Sequence, residues 1–149
     1  MSIVGKFGKR PPVFDHRTKS FGEIAQKYGL AAPPYFRVDW SRKLNVPALG
    51  TLLNTQLGDC TCASKGHDLQ LWSAWTGTQA SVSDEEILAM YKAISGYNGT
   101  EATDRGATIL SALQWWSHNP IAGVKLDGYA GVEPGNLDAG IQANPYRQH

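Results

Sequence analysis

The chain has 149 residues, 42% of them hydrophobic and 18% charged, with a formal net charge of +1. That composition excludes a disordered or collagen-like chain, and one domain of this length buries enough surface to hold a core without staples. No apolar run approaches the roughly 18 residues that span a bilayer, and Met1-Ser2-Ile3-Val4-Gly5-Lys6 opens without the apolar stretch of a secretion signal.

The small net charge conceals an asymmetry. Lys6, Lys9, Arg10, Arg17, Lys19, Lys27, Arg37, Arg42 and Lys43 stand against only Asp15, Glu23 and Asp39 in residues 1–43, and the remainder of the chain is net acidic. Pro11-Pro12 and Pro33-Pro34 favour extended backbone around them. Residues 1–46 are therefore read as an extended, basic, Pro-containing arm. Such an arm lies on its own acidic body or holds a partner, either a neighbouring copy or another protein. It lacks the dense clustering and the reader motif of a nucleic-acid binder, so neither nucleic acid nor membrane is expected as its partner.

After the turn-rich segment Gly50 to Gly58, a helix is expected from Asp59 or Cys60 to Thr76-Gly77. Ala63, Gly66, His67, Gln70, Leu71 and Ala74 form one stripe along it, with Leu69, Trp72 and Trp75 around the rest, the pattern of a buried central helix. Ser83-Asp84-Glu85-Glu86 is a capping box flanked by Val82 and Ile87 at staple positions. The helix it opens carries Ile87, Leu88, Tyr91 and Ile94 inward and closes at Gly96. A third helix is expected from Asp104 through Ile109, Leu110, Leu113 and Trp116 to Asn119-Pro120. Residues 121–132 suggest one or two short strands, and residues 137–143 a short amphipathic piece stopped by Pro145. The fold class is α+β, rich in helix.

Cys60 and Cys62 are the only cysteines, spaced so that they point to different sides of a helix. No disulfide framework exists, and a reducing compartment is the default. A cysteine in the first turn of a buried helix meets the positive end of the helix dipole and unpaired N–H groups, which favour thiolate. The same N–H groups can hold an oxyanion when the sulfur attacks a carbonyl. Gly58 lets the chain turn tightly. Asp59 would cap the helix, although its charge works against a thiolate. The bland alternative for Cys60 is a small buried hydrophobe, and Cys62 reads as packing.

Pro34, then Val38-Asp39-Trp40, then Asn54 six positions before Cys60, resembles the mature N-terminal half of papain-like cysteine peptidases. The likeness is closer to a little-characterised group of papain-like proteins in phages and bacteria, whose pattern runs Gly-Asn-Asp-x-x-Gly-Asp-Cys-Thr. Gly58-Asp59-Cys60-Thr61, Ala63, His67, Gly96-Tyr97 and Asp104-Arg105-Gly106 fit it over residues 5–142. The resemblance implies that Cys60 is the nucleophile and that Asn54 stands where the family has its oxyanion-stabilising glutamine, with Gly58 and Asp59 in support.

The departures are equally specific. Asn54 is shorter than glutamine, and Thr61 replaces the tryptophan of papain. The histidine and asparagine that complete the site lie about 130–150 residues beyond the cysteine in the family, whereas this sequence ends at His149. The resemblance thus implies the helical lobe over residues 47–149, without the β-rich lobe. His67 lies two turns along the helix from Cys60, about 10 Å by helical rise, too far for proton transfer, and reads as a hydrogen-bonded core residue. His16 and His118 read as solvated, and the terminal His149 is not expected to act as the base.

Cys60, Cys62 and His67 match no zinc spacing, and no metal or cofactor is expected. Asn98-Gly99-Thr100 reads as a turn. Two functional expectations remain. One is a papain-like thiol hydrolase, acting on a peptide or acyl substrate, that is incomplete as this chain. The other is a non-catalytic assembly module of the phage-virion kind that binds neighbours through residues 1–43. A cytoplasmic or virion-associated location goes with both.

Overall fold

The computed structural model describes residues 8–29 and 39–131, which fall into two compact units. One holds residues 8–13 and 40–127. The other holds residues 14–29, 39 and 128–131.

The larger unit is built on α2, Cys60–Thr76, packed against α3, Asp84–Ser95, and α4, Ile109–His118. Its core joins Leu52 to Cys62, Ala63 and Leu69 of α2, Ile87, Met90 and Tyr91 of α3, and Ala112 and Trp116 of α4. Gly66 sits in mid-helix, where glycine is costly, because a Cβ there would meet the side chains of Leu52, Ile87 and Val82. Short 3-10 turns at Trp40–Lys43 and Val46–Ala48 lead toward α2. The first is fastened to its second half: Trp75 Nε1 donates to the Trp40 carbonyl at 2.6 Å, and the Lys43 ammonium lies 4.6 Å from the Trp75 ring centre.

The central helix is as the apolar pattern predicts in its span, but it is not buried all round. Trp72 stacks on Trp116 with one side and remains 48% exposed. The Ser83/Glu86 capping box and the left-handed Gly96 that closes α3 are both present. The last helix departs from expectation. It starts at Ile109, capped by the Thr108 hydroxyl, and Asp104 is not at its start. Residues Glu101–Thr103 form a separate 3-10 turn, and Gly106 then takes a φ of 72° that a helix could not continue. The expected strands at residues 121–132 are also absent from the described part of that segment. Ile121 and Val124 pair with each other across a tight turn whose Ala122 and Gly123 both have positive φ. Among the described residues, β structure is limited to three isolated bridges.

The arm is not extended throughout. In the smaller unit Phe21–Tyr28 form α1, opened by a reciprocal Ser20/Glu23 capping box and closed by left-handed Gly29. Ser20 is bridged to Gly131, with Phe21 N–H donating to the Gly131 carbonyl at 2.8 Å. Arg17 grips Asp15 through two guanidinium nitrogens, which holds that carboxyl well below its usual range. The amphipathic piece expected at residues 137–143 lies outside the described residues.

Candidate functional site

The turn before α2 is strained. Leu52 and Leu53 both have positive φ, 49° and 68°, which costs a residue with a Cβ roughly 1–2 kcal/mol. The burial of Leu52 against α2 holds it there. The hydrogen bonds from Asn54 N–H to the Thr51 carbonyl (3.0 Å) and from Gln56 N–H to the Leu53 carbonyl (2.8 Å) close the turn. Asn54 is exposed on it.

Gly58 is held from two sides. Its N–H donates to both oxygens of Asp104, at 3.0 and 3.1 Å. Asp104 also accepts a 2.5 Å hydrogen bond from the Tyr91 hydroxyl, which in turn accepts from Gly106 N–H at 3.0 Å. One carboxylate thus ties α3 and the loop before α4 to the start of α2. The first described segment completes the junction. Ala107 N–H donates to the Gly8 carbonyl at 2.9 Å and Arg10 N–H donates to the Ala107 carbonyl at 3.0 Å. Gly8 passes so close to Gly58 that a Cβ on it would overlap the Gly58 carbonyl, and one on Gly106 would overlap the carbonyl of Gly8. Only glycines fit such a crossing.

Cys60 is the first residue of α2 and half-buried, whereas Cys62 is sealed, and burial pushes its thiol up to about 12. Asp59 departs from expectation twice. It stands at the N-cap position and its backbone carbonyl accepts from Cys62 and Ala63, but its side chain caps nothing. A ψ of 17°, rather than the extended value of a capping residue, accompanies a carboxyl that is buried instead of lying across the first turn. Burial, with Asp104 and Asp84 facing it, raises that carboxyl to about 7, so it does not carry the full opposing charge that its position beside Cys60 suggests.

His67 is half-buried, and its Nε2 has no hydrogen-bond partner among the described residues, in contrast to the bonded core histidine expected. His118 is exposed at the end of α4 with Nδ1 on the Gln114 carbonyl. Among the described residues no three potential metal ligands converge, and no helix is long and apolar enough to cross a membrane.

The sequence reading brought out Gly58, Asp59 and Cys60, which chain contiguity keeps together, and Asn54 one turn upstream. It missed Tyr91 and Gly8 as parts of the junction. Asp104-Arg105-Gly106 was visible as a motif, but nothing in the sequence indicated that its carboxylate reaches Gly58. Comparison with known proteins finds no matching family model, no matching curated protein and no matching solved structure.

Proposed function

We propose that this chain carries the nucleophile half of a papain-like thiol hydrolase, with Cys60 as the attacking sulfur. The observation that supports this reading is the contrast between the two cysteines: Cys60 is half-buried at the first position of a central 17-residue helix, on a turn fixed by Asp104, while Cys62 two residues later is sealed. The first turn of such a helix offers unpaired N–H groups and the positive end of the dipole.

In the reaction, the sulfur forms a bond to a carbonyl carbon and the π electrons move to oxygen, which the first-turn N–H groups hold, with Asn54 in the role that the resemblance gives it. Collapse then breaks the bond to the leaving group, which takes up the proton that Cys60 gave to the histidine, and water hydrolyses the remaining thioester to free the acid and restore the thiol. The histidine that shuttles this proton comes from a segment other than α2, since His67 is about two turns away along the helix.

Alkylation tests the reading. Iodoacetamide near pH 6, followed by intact mass and peptide mapping, is expected to give one adduct, at Cys60, faster than with glutathione. The adduct is lost in Cys60→Ser and kept in Cys62→Ser. A Cys60 that reacts no faster than the free thiol overturns it.

A second reading, a non-catalytic assembly module, is favoured by the arm. Val13, Phe14, Phe21 and Tyr28 are 59%, 82%, 45% and 66% exposed, interleaved with Arg17, Lys19 and Lys27. Phe14→Ser with Tyr28→Ser is then expected to lower the oligomer mass in light scattering. An unchanged mass removes this reading.

A further inference from the structure

Asp59 is 0% exposed, and neither of its carboxyl oxygens has a hydrogen-bond partner among the described residues. Buried carboxylates are ordinarily paired, because an ion without a donor loses its hydration and gains nothing in return. The charged groups that face Asp59 make ionisation harder still, since both are acidic: Asp104, from the loop before α4, and Asp84, from the first turn of α3. Tyr91 of α3 and Cys62 of α2 offer no positive charge, and burial holds the protons of both well above their ordinary ranges. His67 lies about 12 Å further along α2 by helical rise. Lys9 and Arg10, which follow Gly8, are exposed.

The surroundings also restrict how the carboxyl could be hydrated in place. The next residue back, Gly58, has its N–H on Asp104 and its carbonyl against Gly8, and the Gly8 carbonyl is in turn held by Ala107 N–H. Asp59 is fully covered and follows directly on this crossing, so water reaches its carboxyl only if part of its surroundings gives.

We propose that Asp59 is a proton-operated latch on the turn that carries Cys60. With its proton, the neutral acid stays sealed and the crossing at Gly58, just before α2, stays closed. When the proton leaves to solvent, the carboxylate draws in water, and Gly58 parts from Gly8 or from Asp104. The raised carboxyl of Asp59, near 7, puts the change close to neutrality. The inference does not rest on Cys60 being a nucleophile. A failed alkylation test leaves it standing, and its own test reads the backbone.

Hydrogen exchange of the wild-type chain between pH 5.5 and 8.5 is that test, with rates expressed as protection factors to remove the intrinsic pH dependence. Amides of Gly58 to Ala63 are expected to lose at least tenfold protection as the pH rises, relative to amides in the middle of α3. In Asp59→Asn, which cannot ionise, the two groups should keep a constant ratio. A flat ratio in the wild type, or an equal loss in the variant, overturns the latch. If Asp59→Asn does not fold, the wild-type Asp59 carboxyl carbon is followed by NMR. A titration midpoint near neutrality supports the proposal, and one in the ordinary carboxylate range overturns it.

Discussion

Two aspartates at the same junction, Asp104 and Asp59, illustrate how one residue type takes opposite roles. Asp104 accepts from Gly58 N–H and Tyr91 O–H, so its negative charge is met by donors. Asp59 has no donor from another residue and is raised to about 7 by burial, against the lowering pull of its own backbone N–H. The consequence for stability has a definite sign. Between its ordinary value of 3.8 and about 7, the unfolded chain has released this proton while the folded chain keeps it. Stability therefore falls as pH rises through that window, is fully present below it and is lost above it. Three pH units correspond to roughly 4 kcal/mol for a single group. Urea unfolding of the wild type and Asp59→Asn at pH 4.5, 6 and 7.5 measures this. The gap between the two chains is expected to shift in favour of Asp59→Asn as the pH rises, and a gap constant with pH would contradict it.

Among the elements, what the sequence made legible was local chemistry, and what it hid was long-range use of the same residues. The Ser83/Glu86 box is readable because both partners lie within one turn. Glu86 has a second task that no local pattern encodes: its other oxygen accepts from Ala122 N–H at 2.7 Å, pinning the turn at residues 121–124 to the start of α3. The same distinction explains the late start of α4. Asp104 is a good N-cap type, but its carboxylate is engaged by Gly58 and Tyr91, and Thr108 does the capping. The helix α1 was legible in principle from Ser20 and Glu23. Pro11-Pro12 and Pro33-Pro34 drew the whole segment toward extended structure, although they bracket the helix rather than interrupt it. The two roles of Glu86 can be separated. Ser83→Ala removes one cap and is expected to cost about 1 kcal/mol. Glu86→Ala removes the reciprocal cap and leaves Ala122 N–H without its acceptor, so about 2 kcal/mol or more is expected from the sum of the two losses. Denaturant titration of both variants decides it, and equal costs would mean that the Ala122 bond contributes nothing.

For the molecule as a whole, the most far-reaching arrangement is that residues distant in sequence meet at Gly8, Gly58 and Gly106. A reading by composition places residue 8 in an extended basic arm. The structure places it within the larger unit, where its carbonyl accepts from Ala107 N–H and its Cα crosses the turn before Cys60. No periodicity signals such a crossing, because what it requires is the lack of a side chain at each point of contact. A single methyl group therefore tests it. Gly8→Ala puts a Cβ into the Gly58 carbonyl, and both sides are backbone that cannot rotate away. Overpacking of this kind costs about 1–3 kcal/mol, and relief comes only if the segment lifts from Ala107. Gly22→Ala is the matched control: it lies in α1, a Cβ there would come no nearer than 4.0 Å to the Ser20 hydroxyl, and glycine to alanine in a helix stabilises by up to about 1 kcal/mol. Thermal unfolding is expected to move down for Gly8→Ala and to hold or rise for Gly22→Ala. Exchange of Ala107 N–H should accelerate in the first variant alone, since that amide loses its acceptor only when the segment detaches. A Gly8→Ala chain as stable as the wild type, with Ala107 still protected, would mean that the segment does not cross the Cys60 turn in solution.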